Sequence, residues 1–90
     1  MKKIETIFAD KVRAEVRKIS VGKTMTYGAV AAKAGYPGAA RAVGAIMKDN
    51  YDLTVPCHRV IRSDGKVGGY NRGGPDAKRA LLIKEGAINA

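Results

Sequence analysis

The sequence predicts a small, mostly α-helical domain organised around a helix-turn-helix, winged-helix-like, with an extended segment and a glycine-rich loop before a last helix. Three observations carry that expectation. Apolar residues recur at helical spacing near the N-terminus, two short alanine-rich stretches flank a glycine-containing turn, and β-branched residues and glycines fill the stretch before a final helical pattern. With 90 residues and 46% hydrophobic content, the chain suffices for one core over residues 1–90 and has no room for a second.

The first stretch, "IFADKVRAEVRKIS", spaces Phe8, Val12, Val16 and Ile19 by four, four and three residues, the stripe of an amphipathic helix with Lys and Arg outside. Gly22 stops it. In "VGKTMTYGAVAAKAG", Thr26 suits an N-cap and Gly35 a C-terminal stop around a short helix of small, closely packing residues. In "YPGAARAVGAIMKDN", Pro37 suits a turn and residues 39–48 form the next helix, so the pair reads as a helix-turn-helix. On that second helix Ala39, Ala40, Ala42, Gly44 and Ala45 are small and Arg41 stands alone among them. Such a face either approaches an outside surface closely or packs against the neighbouring helix. After Asn50, "DLTVPCHRVIRSDGKVGGYNRGG" reads as extended pieces, an "SDG" turn and a loop. Finally, Pro75 opens a helix with Asp76 in its first turn, Ala77, Leu81 and Leu82 inward, and Gly86 as its stop.

Seventeen Lys and Arg against eight Asp and Glu leave a net charge of +9, so an anionic polymer, nucleic acid first, is the expected partner. A single cysteine excludes an internal disulfide, and with one histidine it falls short of the usual structural zinc ligand set. No metal or cofactor is expected. A reduced thiol fits an intracellular setting, cytoplasm or nucleoid. "MKKIETIFADK" contains no uninterrupted apolar run and reads neither as a signal peptide nor as a membrane span, so no membrane partner is expected.

That cysteine and that histidine are adjacent, in "VPCHRVI". A cysteine attacks as its thiolate and needs a cationic or hydrogen-bonding environment, which His58, Arg59 and Arg62 supply in sequence. Neighbours on an extended segment face opposite ways, so His58 reaches Cys57 more naturally through a water than directly. Glu85 is left by elimination as the carboxylate that could orient the imidazole. Taken alone, Cys57 could equally be a buried apolar filler.

At "PCHRVI" the sequence resembles the active-site segment of the O6-alkylguanine-DNA alkyltransferases. The similarity extends outward through "TYGAVAAKAGYPGAARAVGAIMKDN", "VGGYNRGG" and "KRALLIKEG", from Phe8 to Gly86. What the resemblance implies is a monomeric repair domain that enters the minor groove of double-stranded DNA, flips an alkylated guanine out, and takes the alkyl group irreversibly onto its own cysteine. It implies Cys57 as acceptor, His58 as its base through a water, and Glu85 as the holder of the imidazole. Tyr27 would protonate the guanine N3 and crowd the rotated phosphate, and Asn50 would be the hinge before the active-site segment. Arg41 would fill the vacancy in the duplex. Ala40, Ala42 and Gly44 would let the helix sit in the groove, with Lys48 also on the DNA. Met47, Val67, Gly68, Tyr70 and Asn71 would form the pocket, Asn71 and Tyr70 offering donors near the guanine O6. The larger family members' additional N-terminal domain has no counterpart among these residues.

Three further readings compete. A non-catalytic alkyltransferase-like binder of damaged DNA shares the helix-turn-helix but replaces the cysteine, which Cys57 argues against. A Cys-His hydrolase would need an acyl substrate and an oxyanion hole that nothing in the sequence suggests. An ordinary transcription regulator would read bases with long polar side chains, which the alanine-rich face lacks.

Overall fold

The computed structural model describes residues 3–90, with side chains from Thr6 onward. Four helices, two short strands and one 3-10 turn follow in the order α1 (Lys3–Arg17), β1 (Met25–Thr26), α2 (Tyr27–Lys33), α3 (Ala40–Lys48), the 3-10 turn (Cys57–Arg59), β2 (Val60–Ile61) and α4 (Gly74–Lys84). The mostly helical class read from the sequence is the class observed.

α1 buries Val12 and Val16 completely, and Ile19 stays buried just past the helix end because the chain turns there through Ile19 N–H to the Val16 carbonyl at 3.0 Å. Phe8 meets Tyr36 edge-on, ring centroids 4.8 Å apart, which ties α1 to the turn between α2 and α3. α2 begins where Thr26 Oγ1 accepts from the Ala29 N–H at 3.0 Å, the cap the sequence announced. It stops at Gly35, whose φ of +92° allows the Tyr36 N–H to reach the Ala31 carbonyl and the Gly35 N–H the Ala32 carbonyl. That is a Schellman ending, which needs a left-handed residue at this position. α3 turns Val43 and Met47 inward against α2.

The two-residue strands pair in parallel, Met25 with Val60 and Thr26 with Ile61. This small pairing fixes the start of α2 beside the end of the cysteine segment. The segment itself departs from the extended conformation expected of it. Pro56 has φ −77° and ψ 68°, and the Cys57 N–H bonds the Val55 carbonyl at 2.8 Å, which together make an inverse γ-turn. The proline ring supplies the required φ, and the chain then coils through Cys57–Arg59.

α4 starts after Gly73, at φ +119°, where a Cβ would come within 2.8 Å of the Ala77 Cβ, so only glycine fits. Leu82 is fully buried as expected, whereas Ala77 and Leu81 are only half-buried. The deepest companion of Leu82 is a charged residue one turn earlier, Lys78, at 0% exposure. Among the described residues no helix is long and apolar enough to cross a membrane.

Candidate active site

The inverse γ-turn and 3-10 turn set Cys57 at the wall of a cavity of about 450 Å³, which is also lined by Tyr27, Gly44, Met47, Lys48, Asp49, Tyr51, Gly69, Tyr70 and Asn71. The thiol is free and 5% exposed. Of the residues expected in the pocket, Met47, Tyr70 and Asn71 line it. Val67 and Gly68 do not, because the loop passes Tyr27 on its other side: a Cβ on Gly68 would stand 3.4 Å from the Tyr27 hydroxyl and 3.3 Å from Arg62 Cγ. Gly69 takes their place.

Behind the cysteine, His58 Nε2 lies 2.9 Å from Glu85 Oε2. Glu85 follows α4 directly as its C-terminal cap, and Gly86, at φ +78°, closes the helix with the same glycine ending seen at Gly35. The carboxylate is also gripped by both sides of one guanidinium, Arg59 Nε to Oε1 at 3.0 Å and Nη2 to Oε2 at 2.9 Å, while Arg59 Nη1 donates to the Ile19 carbonyl at 2.8 Å. The fork-to-fork bond to Arg59 is the largest cause holding the Glu85 carboxyl down to about 2, with His58 adding to it. Glu85 is therefore an anion at neutral pH. An anionic acceptor assigns the imidazole proton to Nε2 and leaves the Nδ1 lone pair free. Among the described residues no hydrogen bond joins His58 directly to Cys57, in keeping with neighbours that diverge along the chain.

Lys78 is buried against Tyr27, a second titratable residue of the cavity wall. Its Nζ donates to the Tyr27 hydroxyl at 3.2 Å and to the Gly69 carbonyl at 3.2 Å, and stands 5.4 Å from the Tyr27 ring centroid. Burial lowers the ammonium to about 8, partly opposed by attraction to Cys57. Burial, then Cys57, raises the Tyr27 phenol. Tyr27 and Cys57 both face the cavity, so its wall presents a thiol and a phenol, and the buried ammonium behind the wall interacts with both. Lys78 and the bridging role of Arg59 escaped sequence reasoning. The signal for Lys78 was its position four residues before Leu82, on the inward stripe of α4.

Asn50 is 2% exposed, and its Nδ2 donates to the Asp52 carbonyl at 3.2 Å, fixing the bend that leads away from α3. Asn71 reverses an expectation. Its amide donors point away from a ligand: Nδ2 serves the carbonyls of Lys48 at 2.8 Å and Asn50 at 2.7 Å, with Met47 at 3.4 Å. The open C-terminal carbonyls of α3 claim these donors, and Asn71 Oδ1 is left buried without a partner among the described residues. Asn71 therefore ties α3 to the glycine-rich loop and offers the cavity no side-chain donor.

The outer face of α3 holds Arg41 and Ala42 exposed, Ala40 and Gly44 half-buried, and Lys48 exposed at its end. A Cβ on Gly44 would meet nothing within 4 Å, so this glycine is not needed for packing within the protein. Of the two readings of the small-residue face, the outward one fits Ala42, Gly44 and Ala45, while Val43 and Met47 do the internal packing. Arg41 makes no ion pair among the described residues.

The family model described as "6-O-methylguanine DNA methyltransferase, DNA binding domain" matches residues 7–87. Among curated relatives, the methylated-DNA–protein-cysteine methyltransferase of Mus musculus is 47% identical over 72 residues, covering 79% of this chain and 34% of the mouse protein. That of Methanothermobacter thermautotrophicus is 48% identical over 82 residues, covering 90% of this chain and 45% of the relative. The chain thus spans less than half the length of either. Among solved structures, Mycobacterium tuberculosis OGT in complex with DNA superposes with a TM-score of 0.82 at 46% identity, over 89% of this chain and 50% of that one. S. pombe Atl1, in complex with damaged DNA containing O6-carboxymethylguanine, gives 0.79 at 36% identity, over 96% of this chain and 80% of that one. A match over nearly the whole chain, carried through both the helix-turn-helix and the cysteine segment, makes this protein a member of the O6-methylguanine DNA methyltransferase family, in its DNA-binding domain.

Proposed function

We propose that this domain repairs DNA by direct reversal, moving the methyl group of an O6-methylguanine from duplex DNA onto Cys57. The observation that carries the reading is a cavity walled by a buried thiol and a lysine-bound phenol, with the residue that follows the thiol an imidazole oriented by Glu85. Methyl transfer between methylated DNA and a protein cysteine is also what the names of the relatives describe, and Cys57 favours transfer over the damage binding that a cysteine-less relative would perform.

The chemistry runs as a displacement. His58 Nδ1 takes the thiol proton through a water, and the imidazolium is stabilised by Glu85, which remains ionised. The thiolate attacks the methyl carbon, so a sulfur–carbon bond forms as the O6–carbon bond breaks. The electron pair left on the guanine is neutralised by a proton from the Tyr27 hydroxyl at the ring N3, and Lys78 returns a proton to Tyr27. The thioether has no route back to a thiol, so each molecule acts once. Access requires the base to leave the stack, which costs a few kcal/mol and least for a weakened lesion pair. Arg41, unpaired on an outer face of small side chains, fills the vacancy, while Ala40, Ala42, Gly44 and Lys48 meet the minor groove and its phosphates. Groove reading there is degenerate, which suits a protein that searches for damage rather than sequence.

With O6-methylguanine duplex in excess, nucleoside analysis should show one lesion lost per protein molecule and then no further loss. Continuing turnover, or no loss while the duplex stays bound, would contradict direct reversal, the second result favouring a binder. Arg41→Ala should slow repair of duplex about tenfold or more while leaving the reaction with free O6-benzylguanine unchanged. Equal losses on both substrates would remove Arg41 from the extrahelical role.

A further inference from the structure

A second pocket lies on the far side of the cysteine segment. It has a volume of about 300 Å³, and Arg17, Thr54, His58, Arg59 and Arg72 contribute its polar wall. Two of the three guanidiniums are neutralised locally: Arg17 Nη2 pairs with Asp52 at 3.1 Å, and Arg59 with Glu85. The third is not. Arg72 makes no hydrogen bond or ion pair among the described residues, and its Nη2 is buried without a partner. An unpaired guanidinium with one nitrogen withdrawn from water is costly, so a protein that keeps one in a polar cavity normally has an anion for it.

We propose that this pocket binds a tetrahedral oxyanion, a phosphate either free or within a nucleic-acid backbone, with Arg72 as its principal ligand. The planar fork of Arg72 suits two phosphate oxygens, and Arg17, whose Nη1 no carboxylate claims, lines the same pocket. Counting the wall, three arginines against Asp52 and Glu85 leave one net positive charge, enough for a monoanion without stripping Glu85 from His58. The anion would bridge the end of α1, the 53–56 segment and the loop at Tyr70 and Arg72. Those strands of chain meet here without a hydrogen bond from Arg72, and the neighbouring Asn71 secures α3, so occupancy would tighten the loop that walls the thiol cavity.

The test is titration of the intact protein with inorganic phosphate, at ionic strength held constant with chloride, followed by calorimetry and by thermal unfolding. One saturable site and a rise in Tm that tracks its occupancy are expected. Arg72→Ala should weaken phosphate binding about tenfold or more, and Arg72→Lys, which keeps the charge but loses the fork, should weaken it partly. Lys23→Ala, at an exposed position, should leave phosphate binding as in the parent. A phosphate response equal to that of chloride, or unchanged in a folded Arg72→Ala, would overturn the proposal. Adding undamaged duplex distinguishes the source: displacement of phosphate by duplex assigns the site to the DNA backbone, and simultaneous binding assigns it to the free ion.

Discussion

Replacing Lys78 with methionine is expected to slow methyl transfer from duplex DNA by about two orders of magnitude or more while leaving DNA affinity unchanged. The side chain is fully buried and its ammonium holds the Tyr27 hydroxyl, so the substitution keeps most of the volume and removes only the charge and the donors. A positioned proton donor contributes about 10²–10⁴-fold, and Tyr27 without Lys78 is a poorer one. Single-turnover kinetics with a methylated duplex give the rate, and filter binding gives the affinity. A loss of affinity with an unchanged rate would reassign Lys78 to the structure of the DNA surface.

The same residue carries a pH signature of defined sign. Lys78 titrates at about 8 in the fold against 10.5 as a free side chain. Between those values the unfolded chain holds the proton and the folded chain has released it, so stability rises with pH across that window. Below about 8 both states are protonated and the desolvation cost is fully present. Denaturation in urea should therefore show the parent gaining stability from pH 8 toward 10.5, and Lys78→Met lacking that gain. The parent's transfer rate should fall over the same range as the ammonium is lost.

Glu85→Gln is expected to have the largest effect on stability, about 2–3 kcal/mol at neutral pH, because one carboxylate serves Arg59 at two points and His58 at a third within a mostly buried cluster. Transfer should also slow, about tenfold to 100-fold, since the imidazole loses the anion that sets its tautomer. Glu85 titrates at about 2 in the fold against 4.5 ordinarily, so its contribution is complete above about 4.5 and is lost as the pH falls toward 2. The Gln variant should be less stable at pH 7 and should lack this share of the acid sensitivity. Arg59→Met separates the two effects. It should lose stability while its pH–rate profile keeps the shape of the parent's, because His58 still has Glu85.

Which parts of this were legible in the sequence follows from the range over which each feature is decided. Thr26, Gly35 and Gly86 act within one helical turn, so cap and stop chemistry could be read locally, and the helix boundaries followed from them. The γ-turn at Pro56 was not legible, since a proline fixes φ whereas the ψ of 68° and the bond from the Cys57 N–H to the Val55 carbonyl are properties of the fold. The His58–Glu85 pair spans 27 residues and could be reached only by elimination. Lys78 was hidden by composition, since in a chain with 17 basic residues a buried cation looks like the exposed ones, and Arg59, legible as a cation near the thiol, turned out to serve Glu85 instead. Asn71 was misjudged for a related reason. An amide next to a pocket reads as a ligand donor, and only the fold brings the open carbonyls of α3 within its reach.

The account stands on Cys57 as the acceptor, and one measurement addresses it without intermediaries. The protein is incubated with a stoichiometric O6-methylguanine duplex, digested, and its peptides are weighed and sequenced by mass spectrometry. One added methyl group is expected on the peptide containing Cys57, located on that residue, with an equal amount of lesion lost from the DNA. An unmodified Cys57 peptide beside intact lesion, in a sample that demonstrably binds the duplex, would contradict it.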